Sequence, residues 1–313
     1  MEDLHILPKV RDSWSYLYVE HARIEQDAKA IAIHDVNGKT PVPCTALMVL
    51  MLGPGTTVSH AAVRALAEAG CLIFWTGEQG VRFYAQGLGE TRSSRRLLKQ
   101  AMLWSNPVRR LEVVVRMYRM RFDEVLPAEL TLRQIRGLEG VRVRDAYARL
   151  SRETGVPWAG RSYKRTNWHD SDPINRALSA ANSTLYGICQ AAIVASGYST
   201  ALGFVHTGKM LSFVYDVADL YKVEVTLPAA FEATAQGDNE LERRVRLRCR
   251  DLFHEQRLLS RIINDIDHVL DVADGEAEAA MDAELAAPGG LWDPSEGIVP
   301  GGENYASRSE EGE

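Results

Sequence analysis

The chain has 313 residues, 46% of them hydrophobic and 25% charged. That is enough length for about two domains, and the composition excludes a disordered, collagen-like or coiled-coil protein. The net charge of −6 divides unevenly: residues 274–313 carry eleven acids against one base, Arg308, which leaves residues 1–273 at +4, and residues 92–165 hold eighteen Lys and Arg against seven Asp and Glu.

From the N-terminus, residues 14–20 and 30–34 are strand-like, and Val36-Asn37-Gly38-Lys39 carries the Asn-Gly signature of a tight hairpin. An apolar strand over 46–52 is broken by Gly53-Pro54-Gly55, and Ser59 is placed to cap a short helix over 60–69. Residues 71–75 and 81–86 form a second strand pair around Gly77-Glu78-Gln79-Gly80. Residues 1–87 therefore read as a small, sandwich-like β domain with one short helix. Gly87-Leu88-Gly89 lacks the third glycine and the βαβ setting of a nucleotide loop, so residues 88–95 read as a linker. Residues 96–273 read as helical, which makes the fold class α+β. The clearest helix begins at Asp172-Pro173, a cap followed by proline, and ends before Gly197, with Ile174, Leu178, Ala181, Leu185, Ile188, Ala192 and Ala195 as its inward seam. One further long helix is expected over 240–270. The tail, 274–313, is acidic, rich in Gly and Pro, and too poor in apolar residues to fold alone.

Four cysteines at 44, 71, 189 and 249 show no Cys-x-x-Cys spacing and read as small buried residues in a reducing compartment. The longest apolar run is too short to cross a bilayer, and the acidic N-terminus precedes no secretion-type apolar stretch, so a cytoplasmic protein is expected. A basic body with an acidic tail fits a polyanion partner, commonly nucleic acid, or else arginine-rich helices with solvated faces.

The most informative residue is Glu139. On a helix over 131–152, stepping 100° per residue, Leu132, Ile135, Val143, Ala146 and Leu150 form one apolar stripe and Glu139 falls inside it. A carboxylate facing a core needs a cation or hydrogen-bond partner. Arg133, Gly137, Gly140 and Arg144 form another face, where missing side chains leave room for a phosphate between guanidiniums. Alternatively, Glu139 pairs with a structural arginine and the glycines serve helix packing. A second cluster is Phe204-Val205-His206-Thr207-Gly208-Lys209 followed by Tyr215-Asp216-Val217-Ala218-Asp219. Asp216 and Asp219, three apart, share a helical face, and His206 can fold back onto them. With Glu139 these make an oxygen-rich set with one imidazole, suited to Mg²⁺ or Mn²⁺. The alternatives are that Asp216 is a helix-capping acid and His206 a satisfied core histidine.

Residues 134–144 (Gln-Ile-Arg-Gly-Leu-Glu-Gly-Val-Arg-Val-Arg), 203–209 and 211–219 resemble the CRISPR adaptation integrase, the universal first Cas protein, in its type I-E form. Residues 54–64 (Pro-Gly-Thr-Thr-Val-Ser-His-Ala-Ala-Val-Arg) and Gly80-Val81-Arg82 resemble the same family's β domain. The resemblance runs in consistent order over about residues 7–270. It implies a dimerising β domain and a helical catalytic domain. It also implies metal ligation by Glu139, His206 and Asp219, with Asp216 as an accessory acid and Lys209 assisting at the active site. Tyr163, Tyr186 and Tyr215 match positions around that site, and Arg64 and Arg82 match positions facing DNA. The implied activity is CRISPR spacer acquisition, in which the 3′-hydroxyl ends of a prespacer fragment are joined to the CRISPR repeat with Mg²⁺ or Mn²⁺, with associated endonuclease activity. The implied partners are DNA, a second copy of the chain, the small ferredoxin-like second Cas protein and, by subtype analogy, integration host factor. The rivals are a structure-specific DNase acting on branched DNA in repair and a non-catalytic DNA-binding scaffold.

Overall fold

Turn chemistry and strand periodicity organise the first part of the chain in the computed structural model, which describes residues 16–28, 30–80, 83–87, 94–161, 172–272, 291–295 and 297–299. One sheet contains Tyr16–Val19 (β1), Val49–Leu52 (β5), Leu72–Thr76 (β7) and Phe83–Gln86 (β8) in the order β1-β5-β7-β8. The other contains Arg23–Asp27 (β2), Ala30–Asp35 (β3), Gly38–Pro43 (β4) and Thr57–Val58 (β6) in the order β4-β3-β2-β6. The continuous apolar run of β5 is explained by its place: it pairs in parallel with both β1 and β7, and all four of its residues are buried. Its alternate side chains serve two cores. Leu50 and Leu52 join Ile24, Ile31, Ile73 and helix residue Leu66 between the sheets, whereas Val49 and Met51 face the helical core.

The β3–β4 hairpin departs from the expected turn by one residue. Asp35 pairs with Gly38, so Val36 and Asn37 form the loop, not Asn37 and Gly38. The Asp35 carboxylate accepts the Asn37 N–H at 2.8 Å and anchors the turn, while Gly38 takes the φ of +120° that closes it. The short helix His60–Glu68 (α1) starts as expected, with the Ser59 hydroxyl accepting the Ala62 N–H.

The helical part begins with Arg95–Ser105 (α2) and Pro107–Arg119 (α3), the latter capped by Asn106. Leu132–Thr154 (α4) follows, with a Thr131/Gln134 capping box at its start and left-handed Gly155 at its end. Pro173–Ala195 (α5) is the central helix. Its expected seam is buried throughout, and it packs against Ser212–Ala218 (α6), Leu227–Ala235 (α7), Leu241–Glu255 (α8) and Leu258–Val269 (α9). The expected single helix over 240–270 is two helices. Arg257 adopts φ +47° between them, which no α-helical turn accommodates, and the chain bends there so that both apolar faces reach α5. The β and helical parts meet along a tight seam: a Cβ on Gly187 would lie 2.6 Å from the Gly80 carbonyl, Arg246 pairs with Glu78 at 3.1 Å, and Tyr16 stacks on His254.

Residues 1–273 and 274–313 are two compact units. Within the second, Leu291–Asp293 (β9) and Gly297–Val299 (β10) form an antiparallel pair. All four cysteines are buried and unbridged, and burial pushes the Cys71 and Cys249 thiols up to about 12. Among the described residues, no helix is long and apolar enough to cross a membrane.

Candidate active site

Three segments deliver the candidate residues: α4, and further along the chain the histidine loop and α6, which follow one another closely. The first is α4. Ile135, Ala146 and Leu150 are buried on its inner stripe, and Glu139 is buried with them at 8% exposure. Its carboxylate accepts two hydrogen bonds from Arg142, Nε to Oε2 at 2.8 Å and Nη2 to Oε1 at 3.1 Å. A third comes from Arg121 Nη1 to Oε1 at 3.4 Å. The expectation that a cation must neutralise this carboxylate thus holds, and the cations in place are arginines. Cβ atoms added to Gly137 or Gly140 would meet no described residue within 4 Å, so neither glycine serves packing among the described residues. That face, with exposed Arg133 and Arg144, is open.

The second segment is the loop leading to His206, and helices α2 and α3 hold it. The Gln100 amide, fully buried on α2, donates to the carbonyls of Ser199 and Leu202 and accepts the Ser199 N–H. Trp104 Nε1 donates to the Gly203 carbonyl at 3.0 Å, and Arg110 donates to the carbonyls of Gly203 and Phe204. Gly203 is required here, because a Cβ would lie 2.5 Å from the His206 carbonyl oxygen and 2.6 Å from Ser212 Cβ.

The third segment is α6. Asp216 is fully buried, and its carboxylate accepts the backbone N–H groups of Phe204, Val205 and His206 at 2.6, 3.0 and 2.8 Å. The same carboxylate lies 2.7 Å from His206 Nδ1. A carboxylate only accepts, so Nδ1 carries the proton and the neutral ring keeps its lone pair on Nε2. This hydrogen bond from the ring to Asp216 raises the His206 pKa above the ordinary imidazole value, although burial works against it. Asp216 is therefore not the helix-capping acid of the alternative reading: it lies inside α6, whose N-cap is Leu211, and its carboxylate holds the backbone of the histidine loop. His206 itself is not a core histidine, since its side chain is 44% exposed.

Asp219 ends α6. Its Oδ1 is 2.6 Å from Lys222 Nζ, and its Oδ2 is 3.7 Å from Arg121 Nη2. Lys222 opens a π-helical turn, Lys222–Thr226, an irregularity common at functional sites. Burial opposes its charge, but Asp219 and Tyr186 outweigh that and hold its pKa above the ordinary lysine value. Its ammonium lies 5.2 Å from the Tyr186 ring centre, Tyr186 meets Tyr215 edge-on at 5.1 Å, and Tyr215 meets the His206 ring at 5.9 Å.

A continuous path of contacts thus runs from Glu139 through Arg121, Asp219, Lys222, Tyr186 and Tyr215 to His206 and Asp216. Lys209 is exposed three residues beyond His206. Arg64 lies elsewhere, on α1, paired with Glu68 at 3.6 Å. Arg82 and Tyr163 lie outside the described residues. Sequence reasoning missed Arg121, Lys222, Gln100, Trp104 and Arg110. Only the surplus of arginine in 92–165 hinted at two of them, Arg110 and Arg121.

The donor chemistry of Glu139, Asp219 and His206 Nε2 fits a hard divalent cation, and the carboxylate behind the imidazole is the usual outer partner of a ligating histidine. As they stand, no three His, Cys, Asp or Glu side chains among the described residues are grouped to hold a metal, because the carboxylates are turned to Arg121, Arg142 and Lys222.

A sandwich-like β region followed by a helical region with a carboxylate–imidazole cluster beside arginine-bearing helices defines a two-part α+β class. Its solved members include a crystal structure of a TtCas1–DNA complex, 58% identical, matched over 85% of this chain and 100% of that one with a TM-score of 0.75. The family model described as CRISPR associated protein Cas1 matches residues 119–243, the stretch that carries Glu139, His206, Asp216 and Asp219. The CRISPR-associated endonuclease Cas1 2 of Thermus thermophilus is 57% identical over 97% of this chain and 93% of its own length. The CRISPR-associated endonuclease Cas1 of Escherichia coli K12 is 44% identical over 89% of this chain and 91% of its own. The chain belongs to the Cas1 family.

Proposed function

We propose that this protein acts in CRISPR adaptation as a DNA integrase with associated endonuclease activity, in the type I-E manner. In this reading the 3′-hydroxyl oxygen of a prespacer strand forms a bond to a phosphorus of the CRISPR repeat, and the repeat's own P–O3′ bond breaks. The proton lost by the attacking hydroxyl ends on the departing one. The nucleophile belongs to the substrate, which accounts for the absence of a Ser or Cys nucleophile from the cluster. The observation that carries the reading is the path of contacts that links Glu139 on α4, through Arg121, Asp219, Lys222, Tyr186 and Tyr215, to the Asp216-oriented His206. The names of relatives that are endonucleases, and a relative solved with DNA, support it.

Glu139, Asp219 and His206 would hold Mg²⁺ or Mn²⁺. Bound there, the ion supplies a Lewis acid that lowers the hydroxyl's pKa and offsets charge on the phosphate. The chain's own contributions are separate. Asp216 keeps the His206 proton on Nδ1, and Lys209 offers an exposed cation toward the reacting phosphate. The open face of α4 admits a strand backbone, with Arg133 and Arg144 beside it. Tyr186 and Tyr215 line the path between His206 and Lys222. Arg64 and Arg82 extend the DNA contact onto the β region, through which a second copy pairs. The small ferredoxin-like second Cas protein and integration host factor complete the assembly in this reading.

Replacing His206 or Asp219 with Ala is expected to lower strand joining by more than about 100-fold, the upper range seen for outer partners of metal ligands, while DNA affinity stays within about twofold. Equal joining by both variants would end the proposal. Hydrolysis at the same site would need water in place of the 3′-hydroxyl, and product analysis separates the two, since joined strands mean integration and shortened ones mean cleavage. DNA affinity is expected to fall steeply between 50 and 200 mM salt, by about 10³-fold if some six phosphates are contacted. A flat response would contradict a phosphate-tracking surface.

A further inference from the structure

The one cation that reaches both Glu139 and Asp219 among the described residues is Arg121, which follows α3 by two residues. Its side chain is only 6% exposed, so it cannot serve the DNA surface as the exposed arginines of α4 do. Its setting is unusual for a buried guanidinium. Nη1 approaches Glu139 at 3.4 Å and Nη2 approaches Asp219 at 3.7 Å, both longer than the ~2.7–2.9 Å of a strong charge-assisted bond. Nε and Nη2 make no hydrogen bond among the described residues. The rest of its stabilisation is stacking on the Tyr118 ring at 4.5 Å. Buried donors left unspent are costly and rare.

The neighbouring cations behave differently. Arg142 grips Glu139 through two bonds of 2.8 and 3.1 Å, and Lys222 grips Asp219 at 2.6 Å. Each of those touches one carboxylate firmly, whereas Arg121 lies between two and holds both loosely. A loosely held cation bridging two carboxylates offsets their mutual repulsion, and it also competes with any second cation for the same oxygens.

Building on the metal-dependent reading above, we propose that Arg121 is a displaceable internal cation. It holds Glu139 and Asp219 together while no divalent ion is bound and yields them when one binds, so metal loading is a cation exchange. Arg121 is thus a positioning residue for the carboxylates, outside the set that touches substrate.

The test is calorimetric titration of the full chain with Mn²⁺, together with melting curves with and without Mn²⁺. Arg121→Met and Arg121→Gln remove the charge, and Arg121→Lys keeps it. The neutral variants are expected to bind Mn²⁺ at least about fivefold more tightly than the parent. They are also expected to melt at lower temperature without metal and to gain more from Mn²⁺ than the parent does. Arg121→Lys keeps the charge but not the planar fork, and is expected to bind Mn²⁺ more weakly than either neutral variant. If one neutral variant fails to fold, the other and the lysine variant still decide. Parent binding with unchanged or weaker binding by a folded neutral variant overturns the proposal and leaves the metal reading standing. An absence of Mn²⁺ binding in the parent and every variant overturns the metal reading, and this proposal with it. Binding by a neutral variant alone supports both.

Discussion

The β and helical parts of residues 1–273 treat charge in opposite ways. Between the sheets, Val19, Ile24, Ile31, Leu50, Leu66 and Ile73 form a core without a charged member, and pairs such as Lys39–Asp27 and Arg64–Glu68 stay in contact with solvent. In the helical part, Glu139 and Asp216 are buried, together with Gln100 and Asn175. Among the described residues, Thr76 is the one buried polar side chain of the β part. Burying a carboxylate is expensive unless partners are supplied, so the helical part carries a cost that packing alone does not explain. The contrast separates a region built for shape from one built to hold chemistry, and it is open to direct test.

The largest effect is expected from Asp216→Ala. It strands three backbone N–H groups and the His206 ring, and a loss of about 3–5 kcal/mol is expected in denaturant melts. A loss below about 1 kcal/mol would show that the histidine loop is held by α2 and α3 alone and would blunt the contrast. Next comes Gly187→Ala at the seam, where the new methyl collides with the Gly80 carbonyl. A cost of about 1–3 kcal/mol is expected, with strand joining impaired because Tyr186 is adjacent. Full activity with lowered stability would show that the two parts are coupled in folding and independent in function. The smallest effect is expected from Gly140→Ala. With no described residue within 4 Å of the new Cβ, helix propensity should raise stability by about 0.5–1 kcal/mol. DNA affinity measured by fluorescence anisotropy should fall several-fold if the strand approaches this face. Unchanged affinity would remove α4's outer face from the DNA path.

Local rules made much of this architecture readable. Asp172-Pro173 marked the start of α5, Ser59 that of α1, and a continuous apolar run marked the central strand β5, because capping and burial are written in a few adjacent residues. The bend between α8 and α9 was not readable. Arg257 is neither glycine nor proline, so nothing in the adjacent residues announces its positive φ. In the site, Glu139 stood out because a 100° step exposes an acid in an apolar stripe. His206, Asp216 and Asp219 stand out as carboxylates and an imidazole in close succession, while their separate roles come from family resemblance. Arg121 and Lys222 escaped notice because a loop residue after α3 and a π-helical turn acquire their meaning only through tertiary contact.

The clamp on the histidine loop has a consequence for how the chain matures. Gln100, Trp104 and Arg110 reach partners 99, 99 and 94 residues further along the chain. Contacts of such long range form late in folding, after the entropy of closing a large loop has been met. A nascent or truncated chain lacking residues from 199 onward would present α2 and α3 with their polar grips empty, and a formed histidine loop would report that these two helices have closed on a segment made about a hundred residues later.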